Sequence, residues 1–120
     1  MIENIITIAG KQAKVAYCYA TEIAFHDYTG DNITDFIRLS VKEKADDPKK
    51  IAFLILSAVV AYEQAKDEQT KLTDSDIIYN ASREEINAAV ATILEMWNEW
   101  YHLPAGEPQD EKKEGEDEKN

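Results

Sequence analysis

The sequence has one cysteine, two histidines, four glycines and three prolines in 120 residues, and each scarcity removes a class of function. The lone Cys18 can form no disulfide within the chain and cannot build a cysteine-rich zinc site, which suits a reducing compartment. The four glycines fall in no G-x-x-x-x-G-K and no G-x-G-x-x-G pattern, so a phosphate-cradling loop is not expected. The two histidines, His26 and His102, have no partner histidine at helical spacing, and no H-E-x-x-H occurs. Bases are scarce as well: 13 Lys and Arg against 24 Asp and Glu give a net charge of −11. With so few cations among so many acids there is no stripe to displace counterions from a phosphate backbone, and nucleic acid is not an expected partner.

Long apolar runs are also missing. The most apolar segment, "IAFLILSAVVAY" from Ile51 to Tyr62, has 12 residues, against about 20 for a bilayer-spanning helix. The first residues, "MIENIITIAGK", lack the basic stretch and apolar run of a secretory signal. A soluble, unexported chain without a membrane partner is the expectation.

What is present orders itself into elements. Residues 4–17, "NIITIAGKQAKVAY", form two β-prone runs around Gly10-Lys11, with Ile6, Ile8, Val15 and Tyr17 as the candidate inward face. A two-stranded hairpin is marginal alone, so it must lie on helices or pair with another chain. Ala20, Ile23, Ala24 and Tyr28 then suggest one side of a helix that stops at Thr29-Gly30. Ile33, Phe36, Ile37 and Val41 follow helical spacing, and the charged "KEKADD" closes that second helix. Asp47 as N-cap and Pro48 at the first position open a third helix over residues 48–67. Eleven of its 12 residues from Ile51 to Tyr62 are apolar, the mark of a central helix with neighbours on several sides. Thr73 with Asp76 suggests a short helix to about Tyr79, and Ser82 with Glu85 caps a last helix from Arg83 to about His102.

The fold class is therefore α+β and mostly α, an N-terminal β-hairpin on a bundle of about five helices, two of them short. Residues 1–103 make one domain. Residues 104–120 carry seven acids and three lysines and no aliphatic side chain larger than alanine, and read as a disordered, solvating acidic tail.

Two places invite a functional reading. Glu22 and His26 are four apart on one helical face with Asp27 beside them, a ligand chemistry suited to a metal or an acid/base pair. The missing further histidine favours the plainer reading, a solvated Glu22/His26 face opposite an apolar Ile23 side. Cys18 and the serines have local explanations as core, helix or cap residues, and no G-x-S-x-G elbow exists. No catalytic, cofactor-binding or metal-binding residues are assigned, and an enzyme is not expected. The second place is the end of the last helix, "MWNEWYHL". Ile86, Val90, Ile93 and Trp97 make a core stripe, and Met96, Trp100, Tyr101 and Leu103 add further bulk. Either these residues pack against the hairpin and close the domain, or Trp97, Trp100, Tyr101 and Leu103 form an aromatic patch for a partner.

The order of these parts resembles a known family. The hairpin "ITIAGKQAKVAY", the run "TEIAFHDYTGDNITDFI", the apolar helix, the "LTDSDI" segment and the closing helix ending in Trp and Tyr are together similar to the tail assembly chaperones of long-tailed, siphovirus-type bacteriophages and prophages. The resemblance covers residues 4–101, with Glu22, Thr29, Gly30 and Ile33 to Ile37 in its most specific portion. It implies a non-enzymatic protein of the host bacterial cytoplasm that binds the long, helical tape measure protein, keeps it soluble during tail assembly and is absent from the mature virion. It implies the major tail protein as a further candidate partner and a homo-oligomer as a candidate state. A rival of another class is an acidic phage or mobile-element protein that inhibits a nucleic-acid-binding host protein by charge mimicry; it requires acids aligned on one folded surface, whereas here they are spread along the chain. A third is an enzyme using Glu22, His26 and Asp27.

Overall fold

The computed structural model describes residues 1–43 and 47–102, and of residues 39–43 the backbone only. The expected acidic tail, residues 104–120, lies outside the described residues, as do Leu103 and the side chain of Val41. Two antiparallel strands come first, β1 (Ile2–Ile8) and β2 (Lys11–Tyr17), paired from Ile2↔Tyr17 to Ile8↔Lys11. Alternation decides their faces: Ile6, Ile8, Ala13, Val15 and Tyr17 are buried, while Glu3, Ile5, Thr7, Gln12 and Lys14 are exposed. The inward face is the one that the alternation of the sequence predicts.

The turn sits one residue earlier than expected, on Ala9-Gly10, with φ of 55° and 75°. Positive φ at both central residues is the two-residue geometry whose twist matches the strands. Gly10 takes it without cost, whereas an alanine there is strained by about 1–2 kcal/mol. The compensation comes from far along the chain. The Glu85 carboxylate accepts hydrogen bonds from the backbone N–H of Ala9 (2.9 Å) and Gly10 (3.0 Å). Lys11, next in line, donates from Nζ to Asp76 Oδ2 at 3.0 Å.

Among the described residues four α-helices and one π-turn follow: α1 (Tyr19–Thr29), α2 (Ile33–Glu43), α3 (Pro48–Lys66), the π-turn (Asp76–Asn80) and α4 (Arg83–Tyr101). Their ends follow the caps. Gly30 closes α1 in the left-handed conformation, φ 78°, its N–H bonded to the His26 carbonyl. The Asp47 side chain accepts from the amides of Lys49 and Lys50, with Pro48 at the first position of α3. Asp67, at φ 53°, terminates α3. Ser82 and Glu85 form the capping box of α4, Ser82 N–H to Glu85 Oε1 at 3.0 Å and Glu85 N–H to Ser82 Oγ at 3.1 Å. Thr73 and Asp76 exchange the same pair of bonds before the π-turn.

Helix α3 is central, packed on α1, β2 and α4, and buries Leu54, Ile55, Ala58 and Val59 in the main core. Its single polar residue inside the apolar run, Ser57, is buried and donates to the Phe53 carbonyl at 2.6 Å. Helix α4 lies across β1 and α3 and buries Ala89, Ile93 and Met96; Ile86, Val90 and Trp97 flank that line, so the stripe is turned toward Met96 relative to the expected one. Among the described residues no helix is long and apolar enough to cross a membrane.

Helix α1 corrects the sequence reading more strongly. Its buried residues are Thr21 and Phe25, whereas Ile23 and Tyr28, expected to face inward, are 51% and 39% exposed. Counting apolar residues misleads here because Thr21 is polar only until its partners are known. Its hydroxyl donates to the Ala16 carbonyl (2.8 Å) and accepts from Cys18 N–H (3.1 Å), which locks the Thr21/Phe25 side against the strand. Phe25 then meets Phe36 of α2 with ring centroids 5.5 Å apart. Phe25→Ala should cost about 3–5 kcal/mol and Ile23→Ala less than about 0.5 kcal/mol, measured by urea unfolding. The opposite order would put the inward face of α1 on Ile23.

Candidate functional site

The ligand-like residues of α1 lie together along the surface. Glu22, His26 and Asp27 border a shallow depression of about 230 Å³ with Tyr19, Ile23 and Asn32. Among the described residues no group of three or more His, Cys, Asp or Glu side chains is placed to hold a metal ion. His26 and Asp27 are exposed. Glu22 is not the freely solvated carboxylate of the plain reading, because its Oε2 accepts from the hydroxyl of Tyr17 on β2 (3.0 Å) and from that of Tyr101 on α4. Cys18, half-buried, packs beside Ala16, Ala61 and Tyr62.

Those contacts belong to a directed chain that gathers the end of α4. Trp97 Nε1–H donates to Thr34 Oγ1 (3.1 Å), the Thr34 hydroxyl donates to Tyr101 Oη (3.1 Å), and Tyr101 donates to Glu22. The two hydroxyls, of Thr34 and Tyr101, each accept and donate, so the chain is polarised from the Trp97 donor toward the carboxylate. Trp100 sits partly buried against the core with its ring 6.2 Å from that of Tyr17, and the Trp97 and Tyr101 rings are 5.4 Å apart. Of the four residues of the aromatic patch, Trp97 and Trp100 are thus turned into the domain, Tyr101 is 51% exposed, and Leu103 lies outside the described residues. Burial, then the charge and the hydrogen bond of Glu22, push the Tyr17 phenol far above its usual value. Tyr101 moves the same way, through desolvation first and its bond to Glu22 next.

An apolar opening lies elsewhere and was not foreseen from the sequence. A groove of about 530 Å³ runs between the first turns of α3, the π-turn and the start of α4. Ile51 and Phe53 of α3, Ile77 of the π-turn and Ile86 of α4 line it, and Ile78, 55% exposed, stands beside them. Two signals pointed to it. A helix apolar on all sides has more apolar surface than three neighbours can cover, and a five-residue helical turn carrying Ile77 and Ile78 can direct only one of them inward. Ile77 is the buried one, 5% exposed.

No protein-family model matches the chain, and neither a curated protein nor a solved structure is significantly similar to it.

The Tyr17 shift fixes an alkaline response. A phenol whose folded pKa is raised contributes stability that is complete below the unfolded value, near 10, and that is lost as pH rises toward the folded value. The native state should therefore lose stability above about pH 10, with Tyr17 resisting ionisation until the chain unfolds. Tyr17→Phe should cost about 1 kcal/mol at neutral pH, since Tyr101 still satisfies Glu22, and should flatten this alkaline fall. Tyrosinate absorbance followed beside circular dichroism checks it; early, fold-independent ionisation of all six tyrosines would contradict it.

Proposed function

We propose that the protein is a non-enzymatic tail assembly chaperone of the long-tailed phage type, which binds the tape measure protein in the host bacterial cytoplasm and keeps it soluble while the tail is built. The reading starts from the resemblance of residues 4–101, and the observation that carries it is apolar surface left open on a strongly acidic domain. Tyr79 (80% exposed) and Ile78 (55%) stand side by side on the π-turn, and Tyr19 (69%) and Ile23 (51%) stand on α1. Exposed side chains of this size, grouped on helices, are the means by which one protein covers the apolar face of another.

Net charge supplies the complementary property. A chain at −11 repels its own copies, so it can carry apolar surface and hold an apolar client without coalescing. The functional reading of the acidic residues 104–120 is the same, extended to the complex. Binding of this kind needs neither a reactive residue nor a cofactor, and the major tail protein is a secondary candidate partner.

The test is co-expression with a tape measure protein, sought as the very long, coiled-coil-rich product of a gene just downstream of this one. The long, apolar protein should move from the pellet to the supernatant and co-purify with this chain. A tape measure protein equally insoluble with and without it contradicts the proposal.

A further inference from the structure

We propose that the groove between α3, the π-turn and α4 is the seat for an amphipathic helix of a partner protein, one that presents branched apolar side chains flanked by carboxylates. The chaperone reading supplies only the identity of that partner; the site and the chemistry of its occupant follow from the groove itself.

Its size and lining set the apolar part. About 530 Å³ is within the range of about 300–1,000 Å³ in which pockets bury a ligand group. Ile51, Phe53, Ile77 and Ile86 provide the walls. Phe53 is held in place from behind by Tyr28, the two rings stacked with centroids 5.0 Å apart, so the wall is preformed.

The walls also decide the occupant's backbone. They are mostly helical, and amides of their first turns are already taken, those of Lys49, Lys50 and Ile51 by Asp47 and those of Glu85 and Ile86 by Ser82. An extended strand laid in the groove would find no backbone partners and would leave its polar groups unsatisfied. A small polar ligand would find no converging donors or acceptors to orient it. A helix arrives with its backbone already satisfied and needs only apolar knobs at i, i+3 or i+4, and i+7.

Charge sets the rest. In a chain with 24 acids against 13 bases, the described residues lining this groove include Lys49 and Arg83 and no carboxylate. Neighbouring Lys50 is paired with Asp31, whereas Lys49 and Arg83 form no ion pair among the described residues. The mouth of the groove is thus a cationic spot on an acidic protein, which favours glutamate or aspartate beside the apolar knobs and disfavours a lysine-flanked helix. It also disfavours a second copy of this chain, whose net charge is −11 and whose exposed isoleucines would have to approach against that repulsion.

The probe is a labelled synthetic peptide of about 15 residues, long enough to hold a helix, with leucines at the knob spacing and glutamates beside them, and a twin with lysines in place of the glutamates. Fluorescence anisotropy with the full chain should give binding of the glutamate peptide, weakened at least about tenfold by Ile78→Asp and unchanged by Ile5→Asp on the exposed face of β1. Lys49→Glu combined with Arg83→Glu should invert the preference toward the lysine peptide. All four positions are at the surface or its rim, and circular dichroism checks each fold; should Ile78→Asp not fold, the charge reversal decides. Equal affinity of wild type and Ile78→Asp, equal loss in Ile5→Asp, or a charge preference unmoved by the reversal overturns the assignment. So does a peptide that fails to bind while Ile78→Asp dissociates a dimer, the result expected if a second copy covers the groove. A groove that binds the peptide beside a tape measure protein that stays insoluble would remove the chaperone reading alone, and the converse pair of results would remove only the groove.

Discussion

Two carboxylates hold this protein together at the place where it is weakest. A two-stranded ribbon cannot persist in water by itself, and the tip of this one carries an alanine in a left-handed conformation. Glu85 binds the amides of Ala9 and Gly10, and Asp76 binds the Lys11 ammonium. Each of these acids at the same time stands three residues after a capping hydroxyl residue at a helical start, closed back on Ser82 or Thr73. Caps that would ordinarily only begin a helix therefore also dock the hairpin onto it. Both carboxyls are held below their usual range: Glu85 by the amides of Ser82, Gly10 and Ala9, and Asp76 first by the Thr73 amide and then by Lys11. The opposite end of the hairpin is fastened by Thr21 on the Ala16 carbonyl and by Tyr17 on Glu22. With both ends fixed, the Ile6, Ile8, Val15 side closes over α3 and α4 as the lid of the core.

The sequence makes the local half of this arrangement legible and hides the long-range half. Strand alternation, the Asp47-Pro48 start, the Ser82/Glu85 box and the Gly30 stop are all written within a few residues, and each predicts what the structure contains. Glu85 reaches Ala9 across 76 residues, and no spacing rule announces that. The turn position went astray for the same reason, since an alanine at positive φ is a poor choice until its amide has an acid to meet. On α1 the inward face was misjudged because Thr21 is polar by type and apolar in effect once its hydroxyl is satisfied, whereas Ile23 is apolar by type and has nothing to pack on.

The candidate sites divide along a similar line. Glu22 was noticed for chemistry beside His26 and Asp27, yet its partners are the two tyrosines that fasten α1 to β2 and to the end of α4. The aromatic end of α4, noticed as a patch for a partner, gives its tryptophans to the domain and keeps Tyr101 half outside. The groove arises from the surplus of apolar surface on α3, which composition suggested but only packing could locate. Its walls include the π-turn and the first turns of α4, the same two segments whose starts Asp76 and Glu85 fasten to the hairpin. Stability of the lid and shape of the groove therefore depend on the same pair of acids.

That dependence is most directly tested by amide hydrogen exchange at neutral pH on the full chain and on Glu85→Gln. In the native protein the amides of Ala9 and Gly10, although they lie at an exposed tip, should exchange as slowly as the paired amides of β1. In Glu85→Gln they should exchange freely while those of α3 remain protected. Tip amides that exchange fast in the native protein, or that stay slow after the substitution, would contradict the account.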